Sequence, residues 1–348
     1  MIRRRTLLKA LPATALAAPA ARAASGEPVE VTLGYQSLWA VGGQVFETLR
    51  HTNILALNGV TAQFRTFTYG GPLGEAAVAG DIDNIYAADA PTLRAMARIP
   101  GSKVLQRTHD QRFAIMVRPD FEGGLIDLKG KKLSGPFGTT VFPRCVQALI
   151  AAGIKDPFHE MTIVNQDVAV QADAMHGGLV DAVTTWDPTF EELLQKHYAK
   201  VLWQAPLGEG MGIQGMSGPW LAKHGTDGAV RLLKSWIMAT WWTSNNIGQA
   251  NEWFAKTSRL PVDVLTAANA ADRYLAKPQP NIAALDFLIG PSDISDTQAV
   301  MDFLYAQKLL SNKLEAAPFY DMGPLKLAQQ EIAAGKHPAL DQIRVAAT

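Results

Sequence analysis

Apolar and polar residues alternate from Val29 to Gly34 (VEVTLG) and again from Val60 to Phe67. Between them, from about Gly43 to Leu57, apolar residues recur at helical spacing. The order predicts a strand, a helix and a second strand, the opening of a βαβ unit. Further along, Arg112 to Arg118 (RFAIMVR) predicts a buried strand, while SWIMATWW, ADRYLA and QAVMDFLYAQKLL predict packing helices. Trp236, Trp241, Trp242 and Trp253 then read as filling between helices. Strands that alternate with helices define α/β architecture.

One pattern occurs twice. Residues 76–91 read AAVAGDIDNIYAADAP and residues 174–188 read AMHGGLVDAVTTWDP. Each carries a small-residue helix end, a glycine, an aspartate (Asp83, Asp181), a short apolar run, and a second aspartate (Asp89, Asp187) with proline close behind. Both aspartate pairs are 98 residues apart. A repeat at that spacing predicts two similar α/β lobes. In open α/β sheets ligands sit beyond the carboxyl ends of the strands, at helix N-termini, so the cleft between the lobes is the expected site.

The stretch GEGMGIQGMSG, residues 208–218, is dense in glycine and predicts a hinge crossing before a new helix near Gly225. A matching crossing is expected around Arg112 to Gly124. The second lobe is thus an insertion: residues 24–115 and 216–348 form lobe 1, and residues 116–215 form lobe 2. Within the inserted part, SGPFGTTVFPRC (134–145) packs glycine, proline and threonine between a strand-like and a helix-like run. Thr139 and Thr140 can donate hydroxyl protons to an oxyanion while Gly138 lets the backbone approach. The same threonines also suit an ordinary helix N-cap, and the residues alone do not choose between the two.

Length and charge narrow the picture. The 348 residues suffice for two domains. The first 23 residues hold Arg3, Arg4, Arg5 and Lys9 ahead of a short Ala/Leu-rich segment and an Ala21-Arg22-Ala23 triplet, the pattern of an export signal cleaved near Ala23/Ala24. Arg4-Arg5 suits the twin-arginine route, with general secretion as the alternative. The mature chain is expected in the periplasm. Of 32 basic and 32 acidic residues, five basic ones and no acidic ones lie in that leader, which leaves a net charge of −5 and no basic run to attract nucleic acid. No stretch reaches the roughly 18 consecutive apolar residues of a membrane span.

Cys145 is the only cysteine, so no disulfide forms within the chain, and its place in a helix reads as a small buried hydrophobe. The seven histidines show no metal-ligand spacing, and no cofactor motif is present. Gly210, Gly212 and Gly215 spell GxGxxG, but outside the βαβ setting that a dinucleotide needs.

Taken in order, GYQS (34–37), AADAP (87–91), DLKGKKL (127–133) before SGPFGTT, and AMHGGLVDAVTTWDPTF (174–190) resemble the periplasmic substrate-binding proteins of ABC importers for nitrate, taurine and alkanesulfonates. The resemblance covers essentially the whole mature chain. It implies a two-lobed type II flytrap fold with the ligand cleft between lobes, no enzymatic activity, and a small-molecule anion delivered as a monomer to an inner-membrane permease with its ATPase. It also implies four ligand-binding segments: Gln36, Ser37 and Trp39; Ala88 and Asp89; Gly138, Thr139 and Thr140; and Trp186 and Asp187. Asp89 and Asp187 can instead cap helices, and Arg144 is a secondary candidate that either turns to the cleft or is solvated. The family loop often has a lysine or another polar residue where this chain has Ser37 and then Leu38 and Trp39, and Ala87-Ala88 lacks a hydroxyl; both departures favour an organic anion over bare nitrate. The competing readings are a same-fold enzyme acting on a small heterocycle, and a sensor that docks on a membrane receptor.

Overall fold

Val29, Val31 and Leu33 all face the interior of the first strand, β1 (Val29–Gln36), and the alternation of the sequence is the alternation of burial. The computed structural model describes residues 27–110 and 112–346; the predicted export signal lies outside them. β1 pairs in parallel with β2 (Val60–Phe67), in register from Val29 opposite Val60 to Gln36 opposite Phe67. The helical run between them divides into Gly42–His51 and Ile54–Leu57, because Thr52 leaves helical geometry and bridges to Val345 near the C-terminus.

The repeat is realised strand for strand. β3 (Asn84–Ala88), β4 (Lys103–Asp110), β5 (Phe113–Val117), β6 (Lys132–Gly135), β7 (Thr162–Asn165), β8 (Ala182–Trp186), β9 (Lys200–Gln204) and β10 (Met211–Met216) complete the set. One sheet has the order β7-β6-β8-β5-β9. The other strands run β2-β1 and β3-β10-β4, and β1 meets β3 through the side chains of Asn84 and Gln36. The Asn84 amide accepts from the Gly34 N–H at 2.6 Å and donates to the Gly34 carbonyl at 2.9 Å, replacing a backbone rung. Both halves therefore share one order, with an antiparallel strand (β10 or β5) inserted beside β3 or β8.

The first aspartates of the repeat have the same task in each half. Asp83 accepts from the Thr32 N–H at 2.6 Å while its own N–H donates to the Thr32 carbonyl at 2.8 Å. Asp181 does likewise with Lys132, at 2.9 Å for both bonds. Each satisfies backbone groups where a new strand enters its sheet.

The glycine-dense stretch differs from expectation. Met211–Met216 is a buried strand and not a hinge. It needs glycine for closeness: a side chain at Gly212 would meet His109 and Thr108, and one at Gly215 would meet Met96 and the Lys103 backbone. β4, which ends at Asp110, and β5, which begins at Phe113, belong to different sheets, and the chain crosses back at 205–210. The helix expected near Gly225 starts at Gly218, and Gly225, with φ 60°, marks a kink within it. Trp236 packs 5.1 Å from Phe46, and Trp242 stacks on Trp253 at 5.5 Å, as filling between helices. Among the described residues no helix is long and apolar enough to cross a membrane.

Candidate functional site

The C-terminal ends of β1, β3 and β8 and the start of the helix Val141–Ala151 converge on one small cavity. Gln36, Trp39 and Ala88 line it from one side, and Thr139, Thr140 and Trp186 from the other. These are six of the residues singled out in the sequence. Gly70, Pro91 and Val141 complete the wall. Pro91 and Val141 lie in quoted motifs; Gly70 opens the helix Gly70–Val78, and its glycine-proline start was the available signal. The space between them is about 20 Å³, close to what one water requires, so the two sides are shut on each other.

The polar groups here are engaged with the chain itself. The Gln36 amide donates to the Tyr86 carbonyl at 3.0 Å, and the Trp186 indole donates to the Leu38 carbonyl at 2.9 Å. Thr139 donates to the Pro136 carbonyl at 2.8 Å and accepts from the Phe142 N–H at 3.3 Å, which is the helix-start role the residues had left open. Thr140 donates to Asp89 at 2.5 Å and accepts from the Ala90 N–H at 3.0 Å. Trp39 is 2% exposed, packed 5.0 Å from Tyr86 and 4.6 Å from His109, and its indole nitrogen has no partner.

The remaining predicted residues lie around this centre. Ser37 is turned to the Phe67 carbonyl, which receives both its N–H and its hydroxyl. Gly138 lines a neighbouring compartment. Asp89 is buried, accepts from Ala90 and Thr140 on one oxygen, and meets Thr297 at 3.3 Å on the other. Arg144 is 13% exposed and lies 3.7 Å from Asp89, so it is neither freely solvated nor part of the cavity wall. Asp187 is gripped on both oxygens by Arg112, at 2.7 and 2.8 Å, and Arg112 also reaches Glu191. Burial pushes the Asp187 carboxyl up to about 6, against the opposing pull of the Arg112 guanidinium.

Cys145 is buried, and burial pushes its thiol well above the ordinary range, the opposite of what a nucleophile needs. Among the described residues no group of three or more His, Cys, Asp or Glu side chains is placed to hold a metal ion.

Two like halves, a closed seam at their strand ends, and two crossings between them make up the two-lobed fold of periplasmic binding proteins, and comparison with solved structures agrees. The alkanesulfonate-binding protein SsuA of Xanthomonas axonopodis pv. citri, bound to MOPS, superposes with a TM-score of 0.69 at 23% identity, covering 85% of this chain and 99% of that one. In sequence, a Bacillus subtilis (strain 168) protein assigned to binding aliphatic sulfonates is 23% identical over 282 residues, 80% of this chain and 81% of that one. The likeness read from the motifs is thereby borne out. The desulfurization enzyme DSZB, in complex with biphenyl-2-sulfinic acid, shares the fold at a TM-score of 0.59 and 15% identity, covering 87% of this chain and 99% of that one. No family model matches the chain.

Proposed function

We propose that the chain is the extracytoplasmic solute-binding component of an ABC importer, taking a small organic anion such as a sulfonate, a sulfate ester or a related carboxylate. The observation that carries this reading is the shared cavity: Trp39 on one side and Trp186 on the other close on a space that no charged side chain lines. Two indoles suit an apolar body far better than a hydrated inorganic ion. The lobes divide between β4 and β5 and at 205–210, a few residues ahead of the boundaries expected from glycine content.

In this reading ligand shifts an equilibrium between open and closed lobes, because only the closed form touches it from both sides. Four hydrogen bonds and one ion pair among the described residues hold the closed form: Thr140 to Asp89, the Ala90 N–H to Thr140, Trp186 to Leu38, Thr68 to Asp167 at 3.0 Å, and Arg144 facing Asp89. Export to the periplasm, delivery to a permease and a monomeric state belong to the same proposal. Against the enzymatic reading stands the buried Cys145 thiol.

The test is thermal unfolding of the chain from about Ala24 onward with alkanesulfonates, a sulfate ester, aromatic carboxylates, nitrate and a neutral pyrimidine. A saturable rise in Tm with an organic anion is expected. A rise with the pyrimidine alone, or with none of them, rejects the reading.

A further inference from the structure

We infer that Arg94 selects the ligand's acidic group, so that the acid sits at the outer end of the cleft while the organic body lies between Trp39 and Trp186. This rests on the solute-binding reading above and fixes the orientation of the ligand within it. The resemblance alone points the other way, with the acid held at the Gly138-Thr139-Thr140 turn.

That turn is already answered by the chain's own carboxylate. Thr140 donates to Asp89, and the Arg144 guanidinium faces the same carboxylate at 3.7 Å. An incoming anion there meets the buried Asp89 carboxylate, and like charges repel more strongly away from bulk water. Thr139 donates to a main-chain carbonyl.

The cleft does not end at the tryptophans. Gly70 and Pro91 line both their cavity and a second one of about 130 Å³, whose far wall carries Arg94, Arg98 and Glu75. Gly138 reaches into the second compartment from the other lobe, so closure sets backbone over whatever lies there. The arginines near the cleft can then be sorted. Arg112 is held by Asp187 and Glu191, Arg144 faces Asp89, and Arg98 is paired with Glu75 at 2.6 Å. Arg94 is half-buried, and among the described residues it has neither a hydrogen bond nor an ion pair. A free guanidinium on the wall of a compartment that shares Gly70 and Pro91 with the apolar cavity is the arrangement that recognises one end of an amphipathic anion. The ligand class is an acid with a compact apolar body, and an inorganic oxyanion uses only the outer half.

The experiment is calorimetric titration of the full mature chain and of Arg94→Gln, Arg94→Lys and Trp186→Ala, using hexanesulfonate, hexanoate and methanesulfonate as probes. Circular dichroism confirms that each variant is folded. Expected is a loss of about tenfold or more in affinity for the six-carbon anion in Arg94→Gln, with a flatter dependence on salt. Arg94→Lys should stay within roughly threefold, since the charge remains. Trp186→Ala should weaken the six-carbon probe far more than methanesulfonate. If the unmodified chain binds a six-carbon anion and Arg94→Gln binds it within about twofold, the inference fails and the solute-binding reading stands. If the unmodified chain binds none of the probes, both fall.

Discussion

The Thr140 hydroxyl donates to the Asp89 carboxylate at 2.5 Å and accepts from the Ala90 N–H at 3.0 Å, so one oxygen fastens the start of one lobe's helix to the start of the other's. Thr297 adds a contact to the same carboxylate at 3.3 Å, and Tyr320 donates to Thr297 at 3.1 Å. Closure and the ligand seam thus depend on the same atoms.

Thr140→Val removes the donor and the acceptor while keeping the shape. The closed form should lose about 1–3 kcal/mol, because a buried carboxylate is left short of a partner. Small-angle scattering of the unliganded variant should show a larger radius of gyration than that of the parent chain. An unchanged radius would remove the pair from any role in holding the lobes together.

Trp186→Phe keeps an aromatic ring in the cleft and deletes only the N–H that reaches the Leu38 carbonyl. Affinity for an organic anion should fall by about 1 kcal/mol, roughly fivefold. Trp186→Ala should cost distinctly more, since the ring is lost too. Equal losses in the two variants would show that the ring contributes nothing.

Arg112 stands between two carboxylates, Asp187 and Glu191, with its guanidinium 4.2 Å from the centre of the Phe190 ring. Arg112→Met leaves both acids uncompensated and should cost about 3–5 kcal/mol in urea unfolding. Asp187→Asn leaves Arg112 paired with Glu191 and should cost less. The reverse ranking would mean that burial of the arginine, not its charge, limits stability.

Much of this was legible in the chain itself. The strand Val60–Phe67 was read to the residue, and the two aspartate repeats mark the same entry point in both sheets, because a strand start needs an acceptor near its backbone. The glycine-rich strand Met211–Met216 was not legible: its strand geometry comes from lying between β3 and β4, each distant in sequence. The pairing of Arg112 with Asp187 spans 75 residues, and no local pattern announces it. Trp39 and Trp186 were found through motifs, whereas Gly70 and Arg94 enter the cleft only because Gly70–Val78 packs beside Asp89–Met96.

Asn84→Leu should expose the importance of the side-chain rung. It leaves the Gly34 N–H and carbonyl unpaired in a buried sheet, at a cost of about 2–5 kcal/mol. Denaturant unfolding measures it. A loss below about 1 kcal/mol would show that the β1–β3 contact is held by packing alone.

Asp272 is buried, with one oxygen accepting from the N–H groups of Tyr274 and Leu275 and the other unpartnered. Burial pushes its carboxyl from an ordinary 3.8 up to about 6. The folded chain therefore holds this proton more tightly than the unfolded chain, and the group's contribution is fully present below about pH 3.8 and lost as pH rises through about 6. Relative to Asp272→Asn, the parent chain should lose about 3 kcal/mol of stability across that window and nothing further above it. A flat difference would mean that the carboxyl is hydrated in the folded state.

The position of β10 also sets an order of assembly. All five strands of the sheet β7-β6-β8-β5-β9 lie between residues 113 and 204, so that sheet can be finished while the chain is still being made. The other sheet waits: its inserted strand, Met211–Met216, is synthesised last, although β3 and β4 on its flanks appeared a hundred residues earlier. Domains generally fold as units during synthesis, and unpaired strand edges are where aggregation begins. A nascent chain that has emerged from the ribosome only as far as residue 204 therefore carries one lobe with its sheet complete and one with two open edges, and those edges are the surface that a chaperone would have to cover.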